Sequence, residues 1–345
     1  MNVQKKQPAT RNPQRATLKR LPFAFLIFSL FCALSFASTS KFKPFIERFP
    51  EGKVDWDAGY FYGTGVGYPH LNDGSKAKAL KVAEAKALSA ILQVASGLRV
   101  DDQRTLADLQ REKAVIQIRA LIRYEPHERQ FVQEGKLPFY RVTYRAPMKG
   151  VQGLTRNLLP HVRSGRPAGE DTIRTEPPVD EDEGATWLVL DGRGLSRSSP
   201  VQPALFPKIV TEKGEAVFDL NVAEEGALVQ KGMARYVVSD KSREEILSRV
   251  ELGGPVNLAA LLGPSWALAQ EKGERKRQGK VIVKDVSQVQ GLMKTNLVIS
   301  EADAREIKDE DASSQILKKC RVIVVVSSSL GGIEGGVPWR LARSD

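Results

Sequence analysis

Apolar positions recur every three or four residues between residues 75 and 96, and this spacing predicts a helix with one buried face. Asp73 and Ser75 are residue types that cap helix N-termini, and Gly97 is a common residue just past a helix end. The apolar positions are Leu80, Ala83, Ala87, Ile91 and Val94, and the basic positions opposite them are Lys76, Lys78, Lys81 and Lys86. This Ala- and Lys-rich helix needs a surface against which to bury its apolar side.

Two later segments alternate apolar and polar residues, which is typical of strands with one buried face. Residues 115–124 and 139–146 each place apolar side chains on one side and polar or basic ones on the other. This pattern indicates an antiparallel sheet whose inner face is covered by the helix. We expect Ile91 of the helix to pack on that inner face, whose apolar residues include Ile118, Ile122, Val142 and Tyr144. The polar segment 125–138 would connect the two strands.

A further strand is predicted before the helix, at residues 60–62, and the glycines of segment 63–67 predict a tight turn after it. A glycine loop between a strand and a helix is also the setting of a dinucleotide site. Here, however, Tyr68 occupies the last glycine position of that fingerprint, and the helix begins too late to direct its N-terminus at a pyrophosphate. The segment therefore predicts no nucleotide site.

Residues 186–326 predict a second, mixed α/β unit of short strands. Capping patterns at Ser242 and Ser300 predict that a helix begins at each. The predicted strands are residues 187–190, 208–210, 216–218, 236–238, 280–283, 297–299 and 320–326, with a turn at residues 212–215. Together with the first unit, this gives an α+β chain of two small domains.

The N-terminus has the pattern of a secretory leader. Residues 1–20 contain six lysines and arginines and no acid, residues 21–37 carry no charge, and Ser35-Phe36-Ala37 is a small-x-small cleavage pattern. We expect a signal peptide over residues 1–37, cleaved after Ala37. The alternative is an uncleaved segment that anchors the chain in the inner membrane. Lipidation at Cys32 is disfavoured, because the preceding residue is the bulky Phe31.

Composition divides the exported part of the chain. Residues 45–159 form the first predicted domain, and residues 160–185, rich in proline and acidic residues, predict a mobile linker. Residues 186–326 form the second domain, and residues 327–345 form a glycine-rich tail.

The net charge of +11 is high enough to suggest nucleic-acid binding, but much of it lies in the leader. The leader holds six of the 52 basic residues, so 46 remain against 41 acidic residues, a surplus of five. The basic run at residues 272–280 contains no aromatic residue that could stack on a base. We therefore expect no nucleic-acid partner.

No catalytic, metal or cofactor site is predicted. His70, His127 and His161 are far apart and have no histidine or cysteine at ligand spacing, and the chain has no Gly-x-Ser-x-Gly motif. Without the leader only Cys320 remains, so no internal disulfide is expected. Cys320 is expected to be a small buried residue in a strand, and a reactive or intermolecular thiol is the alternative.

Asp191 and Arg193 are the candidate binding residues. They follow a predicted strand directly, in the segment Asp191-Gly192-Arg193-Gly194, where α/β proteins often place residues that contact ligands. Asp191 could bind a partner, and Arg193 could hold a carboxylate through two parallel hydrogen bonds. The alternative is a structural turn in which the two side chains pair with each other.

The first domain resembles a known family. The residues that carry the resemblance are the strand and Gly-x-Gly segment, the helix ending in residues 94–100, and the strand at residues 140–148. Residues 45–159 resemble the N-terminal domain of flagellar assembly protein T and the related "lipoprotein twenty" family of bacterial envelope proteins. The resemblance implies a helix-on-sheet fold on the periplasmic side of the outer membrane, without catalysis. The second domain is similar to uncharacterised exported proteins of Gram-negative bacteria, through residues 188–195, 203–209 and 296–304.

These patterns give one functional expectation and one rival. We expect an exported, non-catalytic binding or structural component of the Gram-negative cell envelope, in the periplasm or at the periphery of the outer membrane. It would bind envelope proteins, with peripheral membrane association as a further option, and would need no cofactor. The rival is a periplasmic hydrolase of a polymer such as peptidoglycan, with acids drawn from Asp191, Glu212 and Asp219.

Overall fold

A computed structural model describes residues 43–113, 117–133, 137–163, 185–196, 198–239 and 280–327. The predicted leader and the helix at residues 242–250 lie outside these ranges, as do most of the predicted linker, the basic run and the glycine-rich tail. Among the described residues, no helix is both long enough and apolar enough to cross a membrane.

The described elements are fourteen strands and six α-helices. The strands are β1 (Lys43–Pro44), β2 (Ile46–Phe49), β3 (Gly52–Asp55), β4 (Tyr60–Gly67), β5 (Glu125–Val132), β6 (Phe139–Pro147), β7 (Trp187–Asp191), β8 (Ile209–Thr211), β9 (Ala216–Phe218), β10 (Arg235–Val238), β11 (Val281–Asp285), β12 (Gln288–Gln290), β13 (Asn296–Ile299) and β14 (Val322–Val326). The α-helices are α1 (Lys76–Ser96), α2 (Leu106–Glu112), α3 (Ile118–Leu121), α4 (Leu154–Val162), α5 (Glu225–Lys231) and α6 (Glu301–Ser314). The chain has an α+β fold.

The first sheet is antiparallel, in the order β2-β3-β4-β6-β5, and α1 packs on one of its faces. The predicted helix is confirmed together with its cap, because the Ser75 side chain accepts a hydrogen bond from the Lys78 amide. The helix-on-antiparallel-sheet arrangement is confirmed as well. The buried side of α1 is mostly alanine, with Ile91 and Val94 near its C-terminal end.

The glycine-rich segment after residue 62 is part of a strand, so the predicted tight turn is wrong. β4 continues to Gly67, and every second residue from Gly63 faces α1. A Cβ atom added at Gly65 would overlap the Ala83 carbonyl oxygen and the Ala87 amide nitrogen. These glycines therefore allow the helix backbone to rest on the strand backbone. From the sequence alone, glycines with this role look the same as glycines in a turn.

The predicted packing of Ile91 is confirmed in part. Ile91 belongs to the same core cluster as Ile118 and Ile122, and Tyr144 packs against that cluster. A Cβ atom at Gly63 would lie 2.6 Å from the Ile91 Cα atom, so Ile91 also packs over β4. Val142 belongs to a separate small cluster with Ala83 and Ala87, nearer the start of the helix.

The strand predicted at residues 115–124 is wrong, and so is the polar connection after it. Ile118–Leu121 forms the short helix α3, with Ile118 and Leu121 buried at its two ends. The polar segment instead contains the edge strand β5, which pairs with β6. An edge strand can form through backbone hydrogen bonds alone, so an exposed sequence without an apolar side gives no alternating signal.

The second part of the chain contains two sheets, in agreement with the predicted mixed α/β unit. One sheet has the order β1-β10-β14-β7-β11, in which the last four strands are parallel and β1 pairs with β10 antiparallel. The other has the order β12-β13-β8-β9. The predicted helix start at Ser300 is confirmed, since its hydroxyl accepts a hydrogen bond from the Asp303 amide.

Cys320 is buried as predicted, but it precedes β14 instead of lying within it. Its backbone φ of 53° is the left-handed conformation, which ends the preceding turn. Burial raises the pKa of the Cys320 thiol to about 12, so it is protonated and unreactive at neutral pH.

Residues from both predicted domains contribute to one hydrophobic core. Phe45, Leu98 and Leu158 belong to the same cluster as Phe206 and Tyr236. All the described residues belong to one compact unit. The division at residues 160–185 stays a prediction, and the described parts on either side of it are in extensive contact.

The contact between α1 and β4 gives a direct test. We expect Gly65→Ala to lower the free energy of unfolding by at least about 3 kcal/mol, because the new methyl group meets backbone atoms that cannot rotate aside. The matched control is Gly194→Ala, where a Cβ atom would meet nothing within 4 Å and the change should stay within about 0.5 kcal/mol. Urea denaturation measures both, and equal small effects would contradict the close packing.

Candidate functional site

The structure brings Asp191 and Arg193 together. Asp191 is the last residue of β7, which lies between β14 and β11 in the parallel part of its sheet. The Arg193 Nε atom donates to Asp191 Oδ1 at 2.8 Å, and Arg193 Nη2 donates to Oδ2 at 2.6 Å. The Arg193 backbone amide also donates to Oδ1, at 3.1 Å. The two side chains thus form a bidentate ion pair within one turn.

This geometry matches the alternative given by the sequence, a structural turn in which Asp191 and Arg193 pair with each other. Both carboxylate oxygens of Asp191 accept from Arg193, and the two side chains are only 8% and 14% exposed. The Gly192 amide between them donates to the Val325 carbonyl, which fixes the turn to β14. A role for the pair in binding stays a prediction. Such a role would have to use the lone pairs and guanidinium hydrogens that remain after this pairing.

The other acids of the rival hydrolase lie beside a different sheet. Glu212 is exposed in the turn between β8 and β9, as predicted for that turn, and Asp219 follows β9. The Asp219 side chain accepts from the backbone amides of Asn221, at 2.8 Å, and Val222, at 3.3 Å. Asp219 therefore stabilises a local turn. Asp191, by contrast, ends β7 in the sheet of order β1-β10-β14-β7-β11.

Metal ligands do not converge in the part of the chain that the structure describes. No group of three or more histidine, cysteine, aspartate or glutamate side chains there could hold an ion. His70 packs edge-on against the Tyr68 ring, and His127 packs edge-on against the Tyr62 ring.

Sequence reasoning did not single out Lys149, which lies beside a small cavity. Trp56, Met148, Thr155 and Met233 line this cavity together with Lys149, and it has room for about one water molecule. The Lys149 stem packs against two glycines: a Cβ atom at Gly59 would lie 2.8 Å from its Cδ atom, and one at Gly232 would lie 3.3 Å from its Cε atom. Both glycines have positive φ angles, 76° and 75°.

The surroundings of Lys149 disfavour its charged form. Burial lowers the pKa of Lys149 and the nearby Arg235 lowers it as well, while Asp57 and Asp55 oppose the shift, and the resulting pKa is about 8. Arg235 forms an ion pair with Asp57, and the Lys149 ammonium reaches the Asp57 carbonyl at 3.4 Å. A lysine with this pKa can act as a nucleophile, but a space the size of one water molecule would not admit a substrate. We therefore assign Lys149 to the packing between the two parts of the chain.

The larger candidate surface is the face of the first sheet that points away from α1, which we call the open face. Because successive strand residues point to opposite sides, the residues beside the helix-facing glycines of β4 lie on it. The strand register places Arg48, Lys53, Tyr62 and Arg145 in one row across four strands. Glu125 of β5 ends the row and pairs with Arg145 at 2.6 Å.

Two cations in this row are directly opposite each other. Arg48 pairs with Lys53 in the β2–β3 hairpin, both side chains are exposed, and neither takes part in an ion pair with the described residues. Like charges directly across a strand pair destabilise a sheet. The repulsion between these two cations costs stability, and such a feature is a reason to look for a binding role.

Aromatic rings support several cations of the open face. The Lys53 ammonium lies 4.8 Å from the centre of the Tyr62 ring, and the Arg145 guanidinium lies 5.0 Å from that of Tyr60. A cation stacked on a ring is held in place while its outer hydrogens face solvent. The alternation in residues 139–146 predicted the basic side of β6. It could not reveal the row, because the pairing of β2, β3 and β4 cannot be read from one segment.

A comparison with protein families gives one match. Residues 187–254 and 265–328 match the family described as Treponema pallidum Tp0624, second domain. The matched residues cover a little over a third of the chain and coincide with the predicted second domain. No curated protein matches the chain. The second domain is therefore similar to a domain of a bacterial protein, and the resemblance of the first domain stays a prediction.

The position of Lys149 predicts a pH dependence. Because the native pKa of about 8 lies below the ordinary 10.5, the unfolded chain binds more protons between these values, and stability rises with pH across that window. Lys149→Met should raise the free energy of unfolding at pH 7 by about 1–3 kcal/mol and remove this rise. Urea melts from pH 7 to pH 10.5 measure it, with Lys308→Met on the exposed side of α6 as the control. A rise that persists in Lys149→Met would contradict the assignment.

Proposed function

We propose that the protein is an exported, non-catalytic binding component of the Gram-negative cell envelope, located in the periplasm or at the periphery of the outer membrane. The basic and then apolar N-terminal pattern supports export. The resemblance of residues 45–159 to envelope proteins supports the location. Its partner is an envelope protein, and the open face of the first sheet is the binding surface.

The opposed cations of the open face carry this proposal. Arg48 and Lys53 are exposed and directly opposite each other, and Arg141 on the same face also lacks an ion pair with the described residues. A partner that supplies carboxylates would relieve this repulsion and form charge-assisted hydrogen bonds. The proposed partner therefore presents an acidic surface.

The rival is the polymer hydrolase. The three candidate acids are not arranged as a pair across one bond. Asp191 pairs with Arg193, Asp219 caps a turn, and Glu212 lies beside the four-stranded sheet. Hydrolysis by two carboxylates requires them at a defined separation across one bond. This arrangement favours the binding role over the hydrolase.

The test compares two charge reversals in the full-length chain, expressed in a Gram-negative host. A photo-cross-linking residue at Thr64, on the open face, should give an adduct with an envelope protein. Arg48→Glu should raise the free energy of unfolding by about 0.2–1 kcal/mol, because it places an acid opposite Lys53, and yet it should reduce the adduct severalfold. A more stable protein that binds less separates binding from folding.

The control is Lys308→Glu, the same charge change on the exposed side of α6, which should leave the adduct unchanged. An adduct yield that Arg48→Glu does not alter would contradict the open face as the binding surface. If the purified protein releases soluble fragments from peptidoglycan and Asp191→Asn abolishes that release, the hydrolase replaces the binding proposal.

A further inference from the structure

Exposed apolar side chains are concentrated at one end of the first sheet. Of the large apolar residues that the structure describes as exposed, three belong to this end: Leu71, which is 71% exposed, Leu137, at 53%, and Phe131, at 37%. We call these three residues the apolar tip. Tyr124, Val222 and Leu292 are exposed elsewhere.

The strand register places the three residues at the same end of the sheet. Gly67 at the end of β4 pairs with Tyr140, and Val132 at the end of β5 pairs with Phe139, so the same end of the sheet carries both connections. The short 3₁₀ turn after β4 ends with Leu71, and Leu137 lies in the connection that leads into β6.

Two pairs of aromatic rings lie at the same end of the sheet, and we call these rings the aromatic layer. The Tyr68 and Phe139 ring centres are 5.4 Å apart, and the Phe131 and Tyr140 ring centres are 4.8 Å apart. Tyrosine side chains are well suited to a boundary between an apolar phase and water, because the ring is apolar and its hydroxyl is polar. Leu71 follows Tyr68 by three residues and Leu137 precedes Phe139 by two, so both leucines are close to these rings in sequence.

Two cations flank the apolar tip without an ion pair among the described residues. The Lys76 ammonium lies 5.1 Å from the centre of the Phe131 ring, and the Arg141 guanidinium lies 5.3 Å from that of Phe139. Other charges nearby are balanced, since Lys78 pairs with Asp73 at 2.8 Å, and Arg129 pairs with Glu84 at 2.9 Å. Among the residues that the structure describes, the surplus charge at this end of the sheet is therefore positive.

We propose that the apolar tip docks on a lipid bilayer that carries anionic phospholipid. Leu71 and Leu137 enter the boundary of the acyl chains, the aromatic layer lies at the headgroups, and Lys76 and Arg141 meet the lipid phosphates. Shallow apolar insertion together with electrostatic attraction is the known basis of reversible binding to membrane surfaces. The inference rests on the proposed function, because it names the surface at which an exported envelope component is peripheral.

The experiment is co-sedimentation of residues 38–345, the chain expected after cleavage, with phosphatidylcholine vesicles and with vesicles that contain phosphatidylglycerol as well. We expect at least about tenfold stronger partitioning to the anionic vesicles. Leu71→Asp combined with Leu137→Asp should reduce this partitioning by about tenfold or more. Both residues are exposed, so the fold should persist, and thermal melting checks that it does.

The matched control is Leu292→Asp, because Leu292 is 73% exposed but lies between β12 and β13 of another sheet. It should leave vesicle binding unchanged. Lys76→Gln with Arg141→Gln should remove most of the preference for anionic vesicles. Absence of vesicle binding, or equal losses in the tip and Leu292 variants, would overturn the inference, and so would equal binding to neutral vesicles.

A loss of envelope protein adducts in the tip variant, without vesicle binding by the parent protein, would mean that the tip docks on a protein. That result would overturn the lipid inference and leave the proposed binding function standing. We expect Arg48→Glu to leave vesicle binding unchanged, because Arg48 belongs to the open face and not to the apolar tip.

Discussion

The backbone of α1 rests directly on the backbone of β4, because glycines of the strand meet alanines of the helix. Gly63, Gly65 and Gly67 face the helix, and Ala83 and Ala87 face the strand without any exposed surface. With so little side chain between the two backbones, dispersion contacts are dense, and there is little room for a substitution. This contact fixes one face of the first sheet and leaves the other face, with its row of cations, available to a partner.

The first sheet is also tied to the rest of the chain by buried charges. Glu47 of β2 is 3% exposed and accepts hydrogen bonds from the Trp56 indole, at 2.9 Å, and from Arg99, at 2.6 Å. Arg99 in turn donates to the Gln202 side chain at 2.7 Å. A buried ion pair is costly to break, because removing one partner leaves the other charge without compensation. The open face, the proposed binding surface, therefore belongs to a sheet that both apolar and ionic contacts hold from its other side.

The sequence predicted those elements whose residues have a strong local pattern of apolar and capping residues. Helix α1 has a clear apolar face and a capping serine, and the buried strands β7 and β13 consist largely of leucine, valine and isoleucine. β5 was missed because its residues are nearly all exposed, and α3 was missed because Ile118 and Leu121 fit a short helix as well as a strand. The extent of β4 depends on a contact with a helix that begins nine residues later, which no local window contains.

The candidate site was predictable only where one turn contains it. Asp191 and Arg193 are two residues apart, and their internal pairing was one of the two interpretations that the sequence allowed. The row from Arg48 to Arg145 depends on the register of four strands, and the apolar tip depends on two loops that are distant in sequence. Such surfaces are properties of the folded sheet.

Native-state hydrogen exchange of the full-length chain tests the central claim, that the contact between α1 and β4 organises the first sheet. Backbone amides in residues 61–67 and 83–91 should exchange only through global unfolding, at the slowest rates in the first sheet and its helix, while the edge strand β5 exchanges much faster through local opening. If the β4 amides exchange as fast as those of β5, the helix does not hold the strand, and the account is wrong.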